Sequence, residues 1–292
     1  MHSPRQRTLN AGGRLLSLET PLVMGILNAT PDSFFAGSRA QTEADLRRRA
    51  RQLLDEGADI IDVGAYSTRP GADDVSPEEE MRRLRLALTA VRAEAPDAVI
   101  SVDTFRADCA QMSVEECGAQ IINDISAGDL DPAMHATVAR LGVPYIIMHM
   151  QGTPRDMQVD PHYDDVTTDV LAYLSVRVDR LRQMGVCDII VDPGFGFGKT
   201  VAHNYQLLRQ LPEFGIFGLP VLVGVSRKSM ICRPLGIGPQ EALNGTTVVN
   251  TIALLGGADI LRVHDVRAAR EAVTIVGLLN NGQSKANSQP MG

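Results

Sequence analysis

The sequence contains no tryptophan, and aromatic side chains make up only 4% of its 292 residues. So few rings argue against a protein that recognises single-stranded nucleic acid by stacking bases on aromatic side chains. Basic residues are also in the minority, since 28 Lys and Arg against 35 Asp and Glu give a formal net charge of −7. Nucleic-acid binders usually carry a basic patch or stripe. We therefore expect no nucleic-acid partner and a core filled by aliphatic side chains.

Long apolar runs are missing as well. No stretch approaches the ~20 apolar residues that span a bilayer, and residues 1–20 hold no apolar segment of signal-peptide length. We therefore expect no membrane association and a cytoplasmic location. The cysteines, which are Cys109, Cys117, Cys187 and Cys232, show no CxxC spacing. This pattern favours reduced thiols over a disulfide or a zinc site.

What the sequence does contain is a recurring unit in which a short aliphatic run follows an amphipathic helical segment, often after a glycine. Glycine tolerates the left-handed conformation that closes a helix, and an unbroken aliphatic run is typical of a strand buried on both faces. Eight such strands are predicted, within 22–28, 56–64, 98–103, 117–126, 143–149, 184–194, 220–226 and 256–265.

Eight strand-helix units without an intervening linker favour one closed (β/α)8 TIM barrel over two doubly wound domains. The barrel is expected to span 21–280, after an N-terminal extension at 1–20. A short strand around Arg14 to Leu18 is expected to cover the bottom of the barrel, and 281–292 is expected to be a disordered tail. The connections 29–41 and 64–75 are unusually long, which is typical of functional or mobile loops.

Polar side chains end all the predicted strands, where a parallel barrel forms its catalytic mouth. The acceptors Asp103, Asn123 and Asp192 could together hold a flat heterocycle with several N–H donors. The cations Arg69, Lys228 and Arg262, with His264, could hold an anion such as phosphate.

A simpler interpretation of these acidic residues stays open, because an Asp after a strand often only caps the next helix. For Asp103, a helix cap and a binding role are equally supported, and for Asp62 and Asp124 the helix cap is the favoured interpretation. Asn28 offers a neutral oxygen that could bind Mg²⁺ together with phosphate oxygens. An Asn that bonds its own backbone in a turn is the more frequent case.

A glycine-rich segment at 192–200 imitates two phosphate-binding motifs without matching either. Pro193 stands where the P-loop requires its first glycine, and the glycine spacing differs from the dinucleotide fingerprint. We therefore predict a tight turn that approaches a ligand closely, with Phe195 or Phe197 as an apolar wall.

Taken in order along the chain, eight segments resemble those of the dihydropteroate synthase family. They are MGILNATPDSF at 24–34, STRPGA at 67–72, SVDT at 101–104, INDIS at 122–126, MHMQGTP at 148–154, DPGFGFGK at 192–199, SRKSMI at 226–231 and RVHDV at 262–266. The resemblance implies a transferase of folate biosynthesis that joins 4-aminobenzoate to 6-hydroxymethyl-7,8-dihydropterin diphosphate, with Mg²⁺ assisting and diphosphate leaving from a pterin-cation-like state. It also implies a homodimer, formed through the last helices, and sulfonamides as competitive ligands.

The resemblance also assigns roles to residues. The pterin would be bound by Asp103, Asn123, Met148, Asp192, Lys228 and Arg262. Of these, the catalytic set would be Asp103, Asp192, Lys228 and Arg262. The diphosphate would be held by Asn28, Thr68, Arg69, Arg262 and His264, with Asn28 also binding Mg²⁺. The aminobenzoate pocket would be lined by Ser67, Thr68, Pro70, Phe197, Lys228 and Ser229. Mobile loops would carry Thr30, Asp32, Phe34 and Arg69.

The chain departs from the common family pattern in two loops. Ala65-Tyr66 stands where Gly-Glu is frequent, and the SFFAGS stretch replaces an acidic, glycine-rich continuation. Two other functions compete with the synthase. One is a barrel that presents methyltetrahydrofolate for methyl transfer, which would not need the TPDSF, STRPG or SRKS segments. The other is an inactive paralogue that acts as an interaction protein.

Overall fold

The computed structural model describes residues 6–30, 42–66, 75–153 and 156–286. Its strands are β1 (Thr8–Ala11), β2 (Arg14–Ser17), β3 (Leu22–Asn28), β4 (Ile60–Gly64), β5 (Val99–Asp103), β6 (Ile121–Asp124), β7 (Tyr145–Met148), β8 (Ile189–Asp192), β9 (Leu222–Val223) and β10 (Ile260–Val263). Its α-helices are α1 (Glu43–Asp55), α2 (Pro77–Glu94), α3 (Ala107–Glu115), α4 (Met134–Leu141), α5 (Val166–Gln183), α6 (Val201–Arg209), α7 (Ser229–Leu235), α8 (Leu243–Leu255) and α9 (Val266–Ala286). Two short 3-10 helices cover Leu211–Phe217 and Pro239–Glu241.

Strands β3 to β10 form one parallel barrel. Their order in the sheet is β8-β7-β6-β5-β4-β3-β10-β9, and a parallel bridge between Val191 and Val221 joins the two ends. Helices lie between successive strands along the chain. The predicted (β/α)8 barrel is therefore confirmed, although β9 is much shorter than the run predicted at 220–226.

Alternation along the strands separates two apolar regions, because successive side chains of a strand point to opposite faces. Residues such as Val23, Ile61 and Val63 face outward and pack with the helices. The alternate residues, among them Ile60 and Ile260, face inward and fill the lower part of the barrel. The barrel is thus a packed core at one end and leaves its other end for polar groups.

A β-hairpin closes the apolar end of the barrel. Strand β1 pairs with β2 in antiparallel register, and Leu9, Leu16 and Leu18 join the inward-facing aliphatic side chains. Gly12 and Gly13 connect the two strands with φ angles of 63° and 89°, as a tight hairpin turn requires. The sequence predicted only the second of these strands. At the opposite terminus, α9 continues to Ala286, whereas a disordered tail was predicted from residue 281.

Among the described residues, no helix combines the length and the apolar character needed to cross a membrane.

Candidate active site

The interior of the barrel becomes polar one layer above the aliphatic side chains. Asp62, Asn123, Asp192 and Arg262 each lie two residues after an inward-facing aliphatic residue of the same strand, so they also point inward. Asp103 lies beside Asn123 in the register of β5 and β6. The structure therefore brings together the predicted residues Asp103, Asn123, Asp192 and Arg262 in one cavity, and it adds Asp62.

Arg262 is the centre of this polar layer. Its Nε donates to Asp62 Oδ2 at 2.6 Å, and its Nη2 donates to Asp103 Oδ2 at 2.6 Å. Burial alone would lower the pKa of Arg262, but the two carboxylates outweigh it and raise that pKa above its usual range. The guanidinium is therefore a permanent cation held in a fixed plane by two carboxylates.

Asp103 differs from an ordinary surface carboxyl group. Its side chain is 20% exposed, and burial raises its pKa from 3.8 to about 7, with Asp62 adding to the rise and Arg262 opposing it. Asp103 thus gains or loses a proton near neutral pH. A carboxyl group poised in this way changes its protonation when charge develops next to it.

The glycine-rich turn after β8 positions Asp192 and Lys228. Asp192 is buried, and its Oδ1 accepts from Gly194 N at 2.7 Å. Burial raises the pKa of Asp192, while the nearby Lys228 opposes the rise. The Lys228 ammonium donates to Phe195 O and lies 4.7 Å from the centroid of the Phe197 ring. Burial lowers the pKa of Lys228 to about 8, although Asp192 opposes the shift.

Hydrogen bonds from Lys199 stabilise this turn. Its side chain is buried, and its Nζ lies 2.9 Å from His149 Nδ1, 2.9 Å from Gly194 O and 3.0 Å from Phe197 O. Burial, with Lys199 close by, lowers the pKa of His149 to about 2, so the ring is neutral and its Nδ1 can accept from Lys199 Nζ. Burial also lowers the pKa of Lys199 well below its usual range. The role of Lys199 could not be predicted from the sequence, because a lysine after a glycine-rich run carries no local sign of burial.

An apolar wall lies next to the polar layer. It is formed by Ile125, Met148, Met150 and Met157, with Phe105 and Phe197 packed against them. The predicted pterin contact Met148 and the predicted aminobenzoate contact Phe197 belong to this wall. A flat ring bound in the cavity would have an apolar surface for its face and acceptors for its edge.

The other predicted residues lie around the mouth. His264 donates its backbone N–H to Ser226 Oγ at 3.2 Å, and its Nδ1 lies 3.0 Å from the same oxygen. Ser229 is the first residue of α7, directly after Lys228. Thr30 is the last described residue of its loop. The predicted contacts Asp32, Phe34, Ser67, Thr68, Arg69 and Pro70 lie outside the described residues.

The helix-capping interpretation is wrong for Asp62 and Asp103. The N-cap residues of the helices that follow are Ser76 and Arg106, and both carboxylates bind Arg262 instead. The capping interpretation is also wrong for Asp124, because the N-cap residue of α4 is Ala133. The Asp124 side chain accepts instead from Ser126 N and Gly128 N in the next turn, at 2.8 and 2.7 Å, and from the Tyr145 hydroxyl at 2.6 Å.

Tyr66, where the chain departs from the common family pattern, packs against neighbouring side chains. The Tyr66 ring packs edge-on against Phe105, with centroids 5.1 Å apart, and the Arg106 guanidinium lies 5.4 Å from the Tyr66 ring. Arg106 also donates to Val75 O at 2.8 Å and pairs with the buried Glu80. The two residues that flank segment 67–74 are thereby joined to the end of β5, which carries Asp103.

The described residues fit a magnesium ion that an anionic ligand would help to hold. Within the described residues, no group of three His, Cys, Asp or Glu side chains could hold a metal ion. Asn28 pairs with Gly64 in the register of β3 and β4. Its Oδ1 lies beside this glycine, since a Cβ built on Gly64 would be 3.8 Å from that oxygen. One amide oxygen suits Mg²⁺ when phosphate oxygens and water supply its other ligands.

Comparison with known proteins places the chain in a family. The family model described as pterin binding enzyme matches residues 24–264. The dihydropteroate synthase of Escherichia coli K12 is 46% identical over 270 residues, which cover 92% of this chain and 95% of that protein. Two solved structures of dihydropteroate synthases share the fold. The Yersinia pestis enzyme in complex with a sulfonamide drug has a TM-score of 0.89 at 42% identity and covers 94% of this chain and 99% of its own. The Xanthomonas albilineans enzyme in complex with 7,8-dihydropteroate has a TM-score of 0.84 at 36% identity and covers 94% of this chain and 98% of its own. With a family model matched over most of its length and relatives of this identity and coverage, the chain belongs to the dihydropteroate synthase family of pterin-binding enzymes.

Proposed function

We propose that the chain is an active dihydropteroate synthase, a transferase of folate biosynthesis. It joins 4-aminobenzoate to 6-hydroxymethyl-7,8-dihydropterin diphosphate and releases diphosphate. The observation that carries the proposal is the polar layer of the barrel interior, in which Asp103, Asn123 and Asp192 lie near Arg262 and Lys228. Family membership and the relative that binds 7,8-dihydropteroate support the same reaction.

The pterin ring fits the inner part of the cavity. Its N–H and amino groups are donors, and carboxylate and amide oxygens of Asp103, Asn123 and Asp192 can accept from them. Met148 offers an apolar contact for the ring. Arg262, held flat by its two carboxylates, offers a planar cation against which the ring can stack.

Charge in the cavity favours departure of diphosphate. The C–O bond of the pterin methylene breaks with its electron pair on diphosphate, and positive charge develops on the pterin. When Asp103 is ionised, the layer holds the carboxylates of Asp62, Asp103 and Asp192 against the cations Arg262 and Lys228. Carboxylates of this layer that lie close to the ring would stabilise the developing cation. The amine nitrogen of 4-aminobenzoate then forms the new C–N bond and loses one proton.

The diphosphate belongs at the mouth, near Asn28 and His264, and the segment with Thr68 and Arg69 completes its contacts in this proposal. Mg²⁺, bound to Asn28 and to diphosphate oxygens, would supply positive charge to the leaving group. His264 is held by Ser226 at the end of β10, where its imidazole can donate to a phosphate oxygen.

The 4-aminobenzoate lies further out in this proposal, along Phe197, Lys228 and Ser229 and against the segment with Ser67 and Pro70. The Lys228 ammonium is positioned between the glycine-rich turn and the Phe197 ring. Its positive charge suits the carboxylate of the substrate. Sulfonamides resemble 4-aminobenzoate in shape and charge, and the sulfonamide complex of the Yersinia pestis relative supports their binding here.

A direct assay tests the enzymatic proposal. The purified chain is incubated with Mg²⁺, the pterin diphosphate and 4-aminobenzoate, and diphosphate and dihydropteroate are measured together. We expect the two products in equal amounts and inhibition by a sulfonamide that is competitive with 4-aminobenzoate. Absence of both products at saturating substrate would refute the proposal and favour the inactive paralogue. Binding of methyltetrahydrofolate without diphosphate release would favour the methyl-transfer alternative.

We also propose a cytoplasmic homodimer formed through the last helices. Helices α8 and α9 expose several large aliphatic side chains, which are Val248, Ile252, Leu255, Ile275, Leu278 and Leu279. An apolar patch of this kind is typical of a protein interface. Light scattering of the wild-type chain is expected to give twice the monomer mass, and Leu278→Lys is expected to shift it toward the monomer. A monomeric wild-type chain at micromolar concentration would contradict the dimer, and fractionation of cells tests the compartment.

A further inference from the structure

We propose that Asp62 is a positioning residue of the pterin subsite, which fixes both the Asn123 amide and the Arg262 guanidinium and thereby makes Asn123 an acceptor toward the ligand. This inference rests on the proposed function, because it assigns a role within the same cavity. It concerns a residue for which the sequence favoured a helix cap.

Asp62 lies where two parts of the barrel meet. Its Oδ2 accepts from Arg262 Nε at 2.6 Å and from Asn123 Nδ2 at 3.2 Å. Strand β4, which carries Asp62, is separated from β6 by one strand on one side and from β10 by one strand on the other. One buried oxygen therefore joins side chains from strands that do not pair with β4.

The contact with Asn123 decides the orientation of its amide. The oxygen and the nitrogen of an Asn side chain have nearly the same shape, so the hydrogen-bond network determines which end points where. An ionised carboxylate can only accept, so the Asn123 Nδ2 must face Asp62. This leaves the Asn123 Oδ1 to accept from a bound ring. The edge of a pterin carries N–H and amino donors and needs such an acceptor.

The contact with Arg262 fixes the plane of the guanidinium. Nε bonds Asp62 and Nη2 bonds Asp103, and two bonds to two different carboxylates prevent rotation about the end of the side chain. A planar cation stacks on a ring only when it lies parallel to that ring. Asp62 thus contributes to the orientation of both side chains that the pterin would contact.

The two oxygens of Asp62 differ in their contacts, unlike those of Asp124. Asp62 is fully buried, and within the part of the chain that the structure describes, its Oδ1 has no hydrogen-bond partner. A buried carboxylate oxygen in this state costs free energy. By contrast, both carboxylate oxygens of Asp124, the next buried acidic residue beside Asn123, accept hydrogen bonds from neighbouring groups.

Two variants separate positioning from general stability. Asp62→Asn replaces an obligatory acceptor by an amide, which lets Asn123 turn its Nδ2 toward the ligand. Asp124→Asn is the matched control, because Asp124 is equally buried and adjacent to Asn123 but bonds Ser126, Gly128 and Tyr145 outside the cavity. Calorimetry compares the affinity of each protein for 6-hydroxymethylpterin and for the corresponding lumazine, in which the 2-amino donor is replaced by a carbonyl acceptor.

We expect Asp62→Asn to bind the pterin about 10- to 100-fold more weakly, as loss of hydrogen bonds to charged groups does. We also expect its preference for pterin over lumazine to fall by about 10-fold or more, because a turned Asn123 donates to the lumazine carbonyl. Asp124→Asn is expected to melt at a lower temperature than the wild type and to keep both the affinity and the preference. A folded Asp62→Asn with wild-type affinity and preference, or an equal loss in Asp124→Asn, would overturn the inference.

A measurement on the wild-type chain keeps the inference testable if Asp62→Asn does not fold. In protein labelled with ¹⁵N-asparagine, the Asn123 side-chain amide protons should show a nuclear Overhauser effect to the Arg262 Nε proton, since both groups bond the same oxygen. This signal is assigned to Asn123 by its loss in the variant Asn123→Asp. An effect between the Asn123 amide protons and the N–H groups of the bound pterin would place the amide the other way round and refute the proposal. If the wild-type chain binds no pterin and forms no dihydropteroate, the proposed function itself fails, which is a different result.

Discussion

Gly194 gives the sharpest test of how the glycine-rich turn builds the site. Its φ angle is +74°, and a Cβ added there would lie 1.9 Å from the backbone oxygen of His149. Gly185 has a similar φ angle of +84°, but a Cβ there would meet nothing within 4 Å. Gly194→Ala therefore combines backbone strain with a clash, whereas Gly185→Ala introduces the strain alone.

The magnitudes follow from these distances. An alanine at a left-handed position costs about 1–2 kcal/mol, and both variants carry this cost. In Gly194→Ala, the added Cβ and the His149 backbone oxygen must also separate by about 1.5 Å before they reach an ordinary van der Waals contact. This movement would break the bonds from Gly194 N to Asp192 and from Lys199 to Gly194 O, which are 2.7 and 2.9 Å long. A misplacement of about 1 Å can reduce the rate about 100-fold.

Steady-state kinetics of diphosphate release, together with thermal melting, measures both effects. We expect Gly185→Ala to lower Tm and to leave kcat/KM within about twofold of the wild type, since it lies far from the reacting atoms. We expect Gly194→Ala to lower kcat/KM by about 100-fold or more under conditions in which the protein is folded. If both variants lose activity in the same proportion to their loss of Tm, the turn does not position Asp192 as described.

Three further outcomes are expected. Asp192→Asn should weaken pterin binding about 10-fold in calorimetry, because the amide replaces one acceptor oxygen by a donor, and an unchanged affinity would remove Asp192 from the site. Burial raises the pKa of Asp103 from 3.8 to about 7, so the folded state binds the proton of this carboxyl group more tightly than the unfolded state does. The contribution of Asp103 to stability therefore falls as pH rises from about 4 to about 7. Urea denaturation across this range should show that slope in the wild type and a weaker one in Asp103→Asn, and equal slopes would contradict the assignment. Chelation of Mg²⁺ by EDTA should weaken binding of the pterin diphosphate but not binding of the pterin alone. The Tm of the ligand-free chain should stay unchanged, and a lower Tm would indicate a metal site formed by the protein itself.

The barrel could be predicted because its signals repeat along the chain. Each unit joins an amphipathic helix to a short aliphatic run, and only a closed parallel sheet buries many such runs on both faces. The first hairpin was missed in part because β1 is short and alternates, with Leu9 and Ala11 buried and its other residues exposed. The pair Gly12-Gly13, which allows the tight turn, was the available signal.

The candidate site could be predicted in its composition but not in its pairing. Acceptors and cations at strand ends indicated a polar cavity, yet nothing in the sequence shows that Arg262 lies between Asp62 and Asp103. For Asp62, one signal was available. The next helix begins far along the chain, after Ser76, so Asp62 could not cap it. Long-range hydrogen bonds of this kind depend on the register of the whole barrel, which no local pattern contains.

The hairpin that closes one end of the barrel also limits how small molecules enter and leave it. With Leu9, Leu16 and Leu18 filling that end, the described residues form a well that is closed at its base and faces the carboxyl ends of the strands. Of two molecules held in such a well, the deeper one must arrive first and depart last. Side chains at the rim therefore govern entry, exit and the admission of inhibitors together, and a substitution that excludes a drug there also alters the passage of substrate and product.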